Sequence, residues 1–225
     1  MLLAFKLAKI IVAKSKLIYK MRNYLHSLYL FIGHIFCRIC ILYWKGRDML
    51  FPPKETAILF VAHPDDDTLF FHSFIKEYKP YVVLCTAGWS LRRLPCFFRA
   101  MKRYGVKYRA YDLGTRDKRM DKLEGIVKEA LDIGHFEICA THNATGEYGH
   151  EMHQRVHQAV VKLANIPILV PVDAEKIGAF PIDEKDYDEK KYIFSKIYTT
   201  EEWVLDQYSE WVKHEQLEIV NYDIK

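Results

Sequence analysis

The sequence predicts an α/β protein, a mostly parallel sheet with helices on both faces, preceded by an N-terminal helical arm. Short apolar runs of buried-strand length recur at 57–62, 81–87, 106–113, 136–142 and 167–172. Segments with helical periodicity separate them, at about 68–78, 93–104, 117–132 and 150–164. Such alternation implies parallel strands joined by crossover helices. In addition, ionisable residues gather just beyond the first and fourth runs, where sheets of this kind bind ligands.

The arm comes first. Residues 1–47 hold nine Lys/Arg and no acid, whereas the remaining 178 residues hold 24 basic and 29 acidic side chains. The overall charge of +4 therefore belongs to the arm, and a nucleic-acid footprint over the whole domain is not expected. Residues 1–22 mix aliphatic residues with Lys6, Lys9, Lys14, Lys16, Lys20 and Arg22, the pattern of a basic amphipathic helix. Residues 24–44 are almost continuously apolar, and 21 helical residues span about 31 Å, the thickness of a bilayer core. His26, Ser27, His34 and Arg38 give this stretch one weakly polar stripe. The expectation is a membrane-associated arm over 1–49, lying on or crossing the bilayer, with a pair of ordinary helices covering the domain as its competitor. A cleaved secretory signal fits poorly, because the apolar stretch is too long and no small-residue cleavage site follows it. Five cysteines are too few and too scattered for a disulfide scaffold, and Cys37-Arg38-Ile39-Cys40, inside an apolar helix, is assigned no chemistry.

Pro52-Pro53 marks the start of a domain over 50–225. Its first strand ends in Ala62-His63-Pro64-Asp65-Asp66-Asp67, an imidazole and three carboxylates leaving a buried strand together. So many ionisable groups at a strand end are costly unless a cation or substrate compensates them. The bland reading, a turn and helix N-cap, fits the isolated tetrapeptide equally well. A second cluster tips the balance. The fourth strand runs into Thr141-His142-Asn143 and then Gly146-Glu147-Tyr148-Gly149-His150-Glu151-Met152-His153, so His150 and His153 share one helical face. Together the clusters offer His63, Asp66 and His153, two imidazoles and one carboxylate, a set suited to a catalytic Zn²⁺ with a position left open for water. The tail beyond 183 is rich in charge and aromatics, with a helix expected at 200–217.

A-H-P-D-D after the first strand and G-E-Y-G-H-x-x-H after a later one closely resemble the PIG-L/LmbE family of N-acetylglucosaminyl de-N-acetylases. The resemblance covers about residues 55–200, with both motifs in the family's order. It implies a Rossmann-like fold and zinc-dependent removal of acetyl from an N-acetylated amino-sugar conjugate. By motif match it makes His63, Asp66 and His153 the zinc ligands and Asp65 the general base. It also makes His150 an active-site histidine and Tyr148 a mobile residue near the substrate carbonyl. Thr86-Ala87-Gly88 ends the second strand as in the family. The family's R-x-x-E-x-x-x-A-x-x-x-L-G helix maps onto Arg93, Cys96, Ala100 and Tyr104-Gly105, making Arg93 a ligand for sugar substituents, while Cys96 replaces the usual Glu. Leu113-Gly114-Thr115-Arg116-Asp117 resembles the L-G-x-x-D segment and makes Asp117 a ligand for a sugar hydroxyl. Asp67 stands where many members carry Glu. Members with an N-terminal anchor face their catalytic domain to the cytosol, which implies a cytoplasmic domain here. The competing expectation is a non-catalytic membrane-associated binding or scaffolding module that keeps the fold. No G-x-G-x-x-G or G-x-x-x-x-G-K-[ST] supports a phosphate-cradling enzyme.

Overall fold

The computed structural model describes residues 2–50, 52–86, 90–114, 117–172 and 181–220, with side chains from residue 18 onward. In chain order the elements are α1 (Leu2–Leu50), β1 (Ala57–Val61), α2 (Asp66–Tyr78), β2 (Tyr81–Thr86), α3 (Leu94–Tyr104), β3 (Tyr108–Leu113) and α4 (Met120–Leu131). There follow β4 (Ile138–Ala140), α5 (Glu151–Leu163), β5 (Ile168–Pro171), α6 (Glu184–Lys196), α7 (Val204–Gln207), α8 (Ser209–Lys213) and β6 (Leu217–Ile219).

The six strands form one sheet in the order β3-β2-β1-β4-β5-β6. The first five pair in parallel, and β6 pairs antiparallel with β5. The fold is thus α/β with a mostly parallel sheet. All five residues of β1 are buried, as a strand covered on both faces must be. Ala57, Leu59 and Val61 face a core shared with α2, α3 and the C-terminal helices, while Ile58 and Phe60 face one shared with α4 and α5. After β1 the chain winds to one side through β2 and β3, then returns to build β4 and β5 on the other. The order therefore reverses between β1 and β4, and a crevice opens beyond their carboxyl ends.

The C-terminal region departs from expectation. In place of one helix over 200–217 it forms α7, α8 and the edge strand β6, and α6 precedes them. A defect in α2 explains how this region docks. Phe71 leaves the helical region (φ −133°, ψ 20°), which breaks the regular ladder there. The released Leu69 carbonyl accepts from Lys190 Nζ at 2.9 Å, and Glu215 Oε1 accepts from the Ser73 amide at 2.8 Å. Lys190, fully buried, lies 3.2 Å from Glu215 Oε2 and also donates to the Trp211 carbonyl. This buried charge pair, with Lys190 donating to two carbonyls and Glu215 Oε1 accepting from α2, ties the C-terminal segment to the broken helix.

Nothing interrupts α1: it holds no proline, and residues 22–24 continue the helix expected on either side of them. Within Ile18–Leu50 an 18-residue window reaches a mean hydropathy of 1.7, so the helix is long and apolar enough to cross a membrane. The second half of α1 packs on the sheet edge. Trp44 meets Phe98 and Tyr108 edge-on, Asp48 accepts from the Tyr81 hydroxyl at 2.7 Å, and Arg47 donates to the Tyr108 carbonyl at 3.1 Å.

Candidate metal centre and pocket

The two sequence clusters meet at the crevice. His63 and Asp66 leave β1, and His142 to His153 leave β4 and enter α5. The Asp66 carboxylate sits at the start of α2, where a negative charge is favoured, and Oδ2 accepts from the His63 amide at 2.7 Å. The same oxygen lies 3.4 Å from His63 Nδ1, 3.4 Å from His153 Nε2 and 3.3 Å from His142 Nε2. His63 Nδ1 and His153 Nε2 face one another at 3.2 Å.

Hydrogen bonds around these rings decide which nitrogens are free. Glu147 Oε2 accepts from His153 Nδ1 at 2.6 Å, which leaves the His153 Nε2 lone pair pointing at His63 and Asp66. His142 stacks on His153 with ring centroids 3.8 Å apart, but its Nε2 accepts from the Ala62 amide at 3.0 Å, and its Nδ1 lies 3.2 Å from Glu147 Oε2. His142 is therefore a support for the cluster rather than a free donor. Burial alone would raise the Glu147 carboxyl, but His142 and His153 outweigh it and hold the group down at about 2. Burial lowers the His142 pKa, and Glu147 and Asp66 push it up to about 9. The Ala62 amide donating to Nε2 nonetheless requires the neutral ring with its proton on Nδ1, and that geometry assigns the tautomer. The donor set fits a divalent cation: two imidazole nitrogens and a carboxylate oxygen converge on one point, with the tautomer of one imidazole fixed from behind. His63, His150 and His153 form one group of potential ligands within mutual reach, and Asp66, His142 and His153 another.

Beside the cluster a pocket of about 310 Å³ opens, lined by His63, Asp65, Asp66, Leu69, Arg93, Tyr148, His150, Glu201, Trp203, Val204 and Tyr208. Its size suits a small ligand or one sugar unit of a larger one. Asp65 is held at φ 100°, a conformation rare for any residue but glycine, by its own carbonyl accepting from the Thr68 and Leu69 amides. Burial raises the Asp65 carboxyl well above the usual range; Arg93 opposes this, and Asp66, Glu201 and Asp67 reinforce it. Asp67 is fully buried and accepts from Tyr198 and Thr68 hydroxyls at 2.6 and 2.9 Å, so it braces the loop from behind.

His150 caps α5, its Nδ1 accepting from the Met152 amide at 3.2 Å. That bond places the ring proton on Nε2. Burial, then His153 and His63, lower the His150 pKa to about 4, so the ring is neutral at pH 7. Tyr148 stacks on Tyr208 with centroids 4.5 Å apart, and burial raises its hydroxyl pKa, keeping it a proton donor. Arg93 lies in the pocket wall but is engaged: it donates to Asp65 Oδ1 and the Pro64 carbonyl at 2.9 and 2.8 Å, and its Nε lies 2.9 Å from Glu201.

The structure thus brings His63, Asp65, Asp66, Arg93, Tyr148 and His150 to one pocket, with His153 buried beneath it. Asp117 is not brought there. Its carboxylate is bound by the Arg119 side chain and backbone amide, and it is not among the residues lining the pocket. Ala87 and Gly88, and Thr115 and Arg116 of the L-G-x-x-D segment, lie outside the described residues. Sequence reasoning missed Glu147 and His142 as braces, and Glu201, Trp203 and Tyr208 as pocket walls. The G-E-Y spacing held a signal for Glu147, because the left-handed Gly146 and Glu147 (φ 73° and 57°) fold the carboxylate back under α5.

No family model matches the chain. It is similar to an uncharacterized protein of Acanthamoeba polyphaga mimivirus, 18% identical over 186 residues that cover 72% of this chain and 79% of the viral one.

Proposed function

We propose that the protein is a Zn²⁺-dependent hydrolase that removes the N-acetyl group from an N-acetylglucosamine-containing conjugate, on a Rossmann-like, LmbE-like fold. One observation carries the reading: Asp66 Oδ2, His63 Nδ1 and His153 Nε2 converge beside a separate buried carboxylate, Asp65, which is held by Arg93.

His63, Asp66 and His153 would hold the ion, with His150 within ligand reach of His63 and His153. When bound, zinc supplies Lewis acidity, lowering the pKa of a water molecule towards about 7 and polarising the acetamide carbonyl. Asp65, raised by burial, accepts the proton of the attacking water. Arg93, anchored by Glu201, holds the Asp65 carboxylate in place. As the carbonyl carbon becomes tetrahedral, the Tyr148 hydroxyl and the His150 Nε2–H offer hydrogen bonds to the developing oxyanion. The C–N bond then breaks, acetate forms, and Asp65 returns its proton to the leaving amine. Trp203 and Tyr208 supply aromatic walls for a sugar ring. Helix α1 attaches the protein to a membrane, with the catalytic domain on the cytoplasmic side.

The pair Asp65→Asn and His153→Ala tests the division of roles. Asp65→Asn keeps bound metal and loses activity by about 10²-fold or more, whereas His153→Ala loses metal affinity itself. Equal metal loss in both variants would make Asp65 a ligand and refute the mechanism.

A further inference from the structure

Helix α1 has two unlike faces along the same residues. Gly33, Cys37, Trp44 and Asp48 are buried against the domain. The opposite side carries Leu25, Leu28, Ile32, Ile35, Ile39 and Leu42 at alternating steps of three and four, each 40–69% exposed. A spanning helix needs its full circumference in hydrocarbon or protein over about 20 residues. The apolar stretch 24–44 lacks that freedom: His34 lies 3.9 Å from Asp112, Lys45 pairs with Glu129 at 3.0 Å, and Trp44 packs on Tyr108. Sinking these residues into a bilayer would drag the charged edge of the sheet with them.

We infer that α1 does not cross the bilayer but lies in its surface, the exposed stripe sunk among anionic lipids and the domain riding on the opposite face. Charge decides between lipid and a second copy of the chain. Residues 1–47 carry nine positive charges and no negative one, so pairing two copies along this stripe would oppose like charges with no acid to relieve them. An anionic headgroup layer complements them. The flanks of the stripe agree, since Tyr24, Phe31, Phe36 and Tyr43 are aromatic where a coiled coil would place paired charges.

The geometry also sets the position of the pocket. Residues 44–48 lie at the start of β3 and His34 at its end, so α1 runs antiparallel to that strand. Residues 2–28 therefore project from the carboxyl end of the sheet, the end at which the pocket opens, and the pocket opens beside the lipid surface. This inference rests on the membrane reading above and is independent of the hydrolytic one.

The test uses the full chain with an N-terminal epitope tag, reconstituted into phosphatidylcholine/phosphatidylserine (3:1) vesicles and floated, then digested from outside. The expected result is flotation, and digestion of tag and domain together in every accessible molecule. Substitution of exposed Ile39→Glu or Leu42→Glu lowers vesicle partitioning by at least about tenfold with an unchanged circular dichroism spectrum. A tag protected wherever the domain is digested would show a span and overturn the in-plane placement alone. Absence of flotation, with a dimer in sedimentation, would overturn the membrane reading as well.

Discussion

Glu147→Gln removes one charge and leaves the shape of the side chain, so it isolates what the carboxylate does for the cluster. Glu147 receives three donors: His153 Nδ1 at 2.6 Å and His142 Nδ1 at 3.2 Å on Oε2, and the Asn143 amide at 2.9 Å on Oε1. A Gln side chain has one oxygen and one NH₂ group, so at least one of these donors would face another donor. Its carboxyl is held at about 2 against an ordinary 4.5, a coupling of about 3 kcal/mol shared with the upward push on His142 rather than added to it. The sign follows from the lowered value. The stabilisation is complete above pH 4.5 and is lost as pH falls through about 2. For metal binding the consequence is a loosened His153 tautomer, expected to weaken affinity by about 10–100-fold. Competition against a fluorescent chelator measures this, with thermal unfolding as the parallel readout. A variant that loses stability yet binds metal within about twofold of the parent would refute the argument, because Glu147 would then brace the loop without tuning the ligand.

Three further outcomes are expected. Tyr148→Phe removes a hydrogen bond made only as the oxyanion forms, so kcat falls by about 10–10²-fold with KM little changed; a KM effect alone would assign Tyr148 to substrate binding. Burial, reinforced by Lys190 and Lys76, lowers His72 to about 4 while Asp186 and Glu189 oppose it, so the folded state is destabilised as pH drops from 6.5 towards 4. His72→Gln flattens that part of the stability–pH curve, and an unchanged curve would place the acid sensitivity elsewhere. Glu201→Gln loosens Arg93 and with it Asp65, so kcat falls while bound metal stays constant, as a metal assay alongside kinetics would record.

The parts of the fold legible in the sequence are those where burial writes a simple pattern. Strands β1 to β5 are short and apolar, helices α2 to α5 are periodic, and their observed bounds fall within four residues of those expected. His63, Asp66 and His153 were legible because charged residues at strand ends are rare and demand compensation. Glu147 and His142 carry no periodic signal. Their roles depend on left-handed turns at Gly146 and Glu147 that return the loop beneath α5. The tail misled for a related reason. Residues 200–217 have helical composition, but they are divided between α7, α8 and β6, and Lys190, Glu215 and the break at Phe71 fix their position through tertiary contacts. Asp117 matches its motif in sequence, but its carboxylate is bound by Arg119 and does not line the pocket.

The central claim is metal-dependent amide hydrolysis at the convergence of His63, Asp65, Asp66 and His153. The full chain, stripped of metal and reloaded with one equivalent of Zn²⁺, is incubated with a panel of N-acetylglucosaminyl conjugates, and free amine and acetate are quantified together. The account predicts equimolar amine and acetate from at least one conjugate, abolished by chelation, restored by Zn²⁺ and reduced about 10²-fold or more with Asp65→Asn. Stoichiometric metal binding with no amine released from any conjugate, or amine release unaffected by Asp65→Asn, would contradict it.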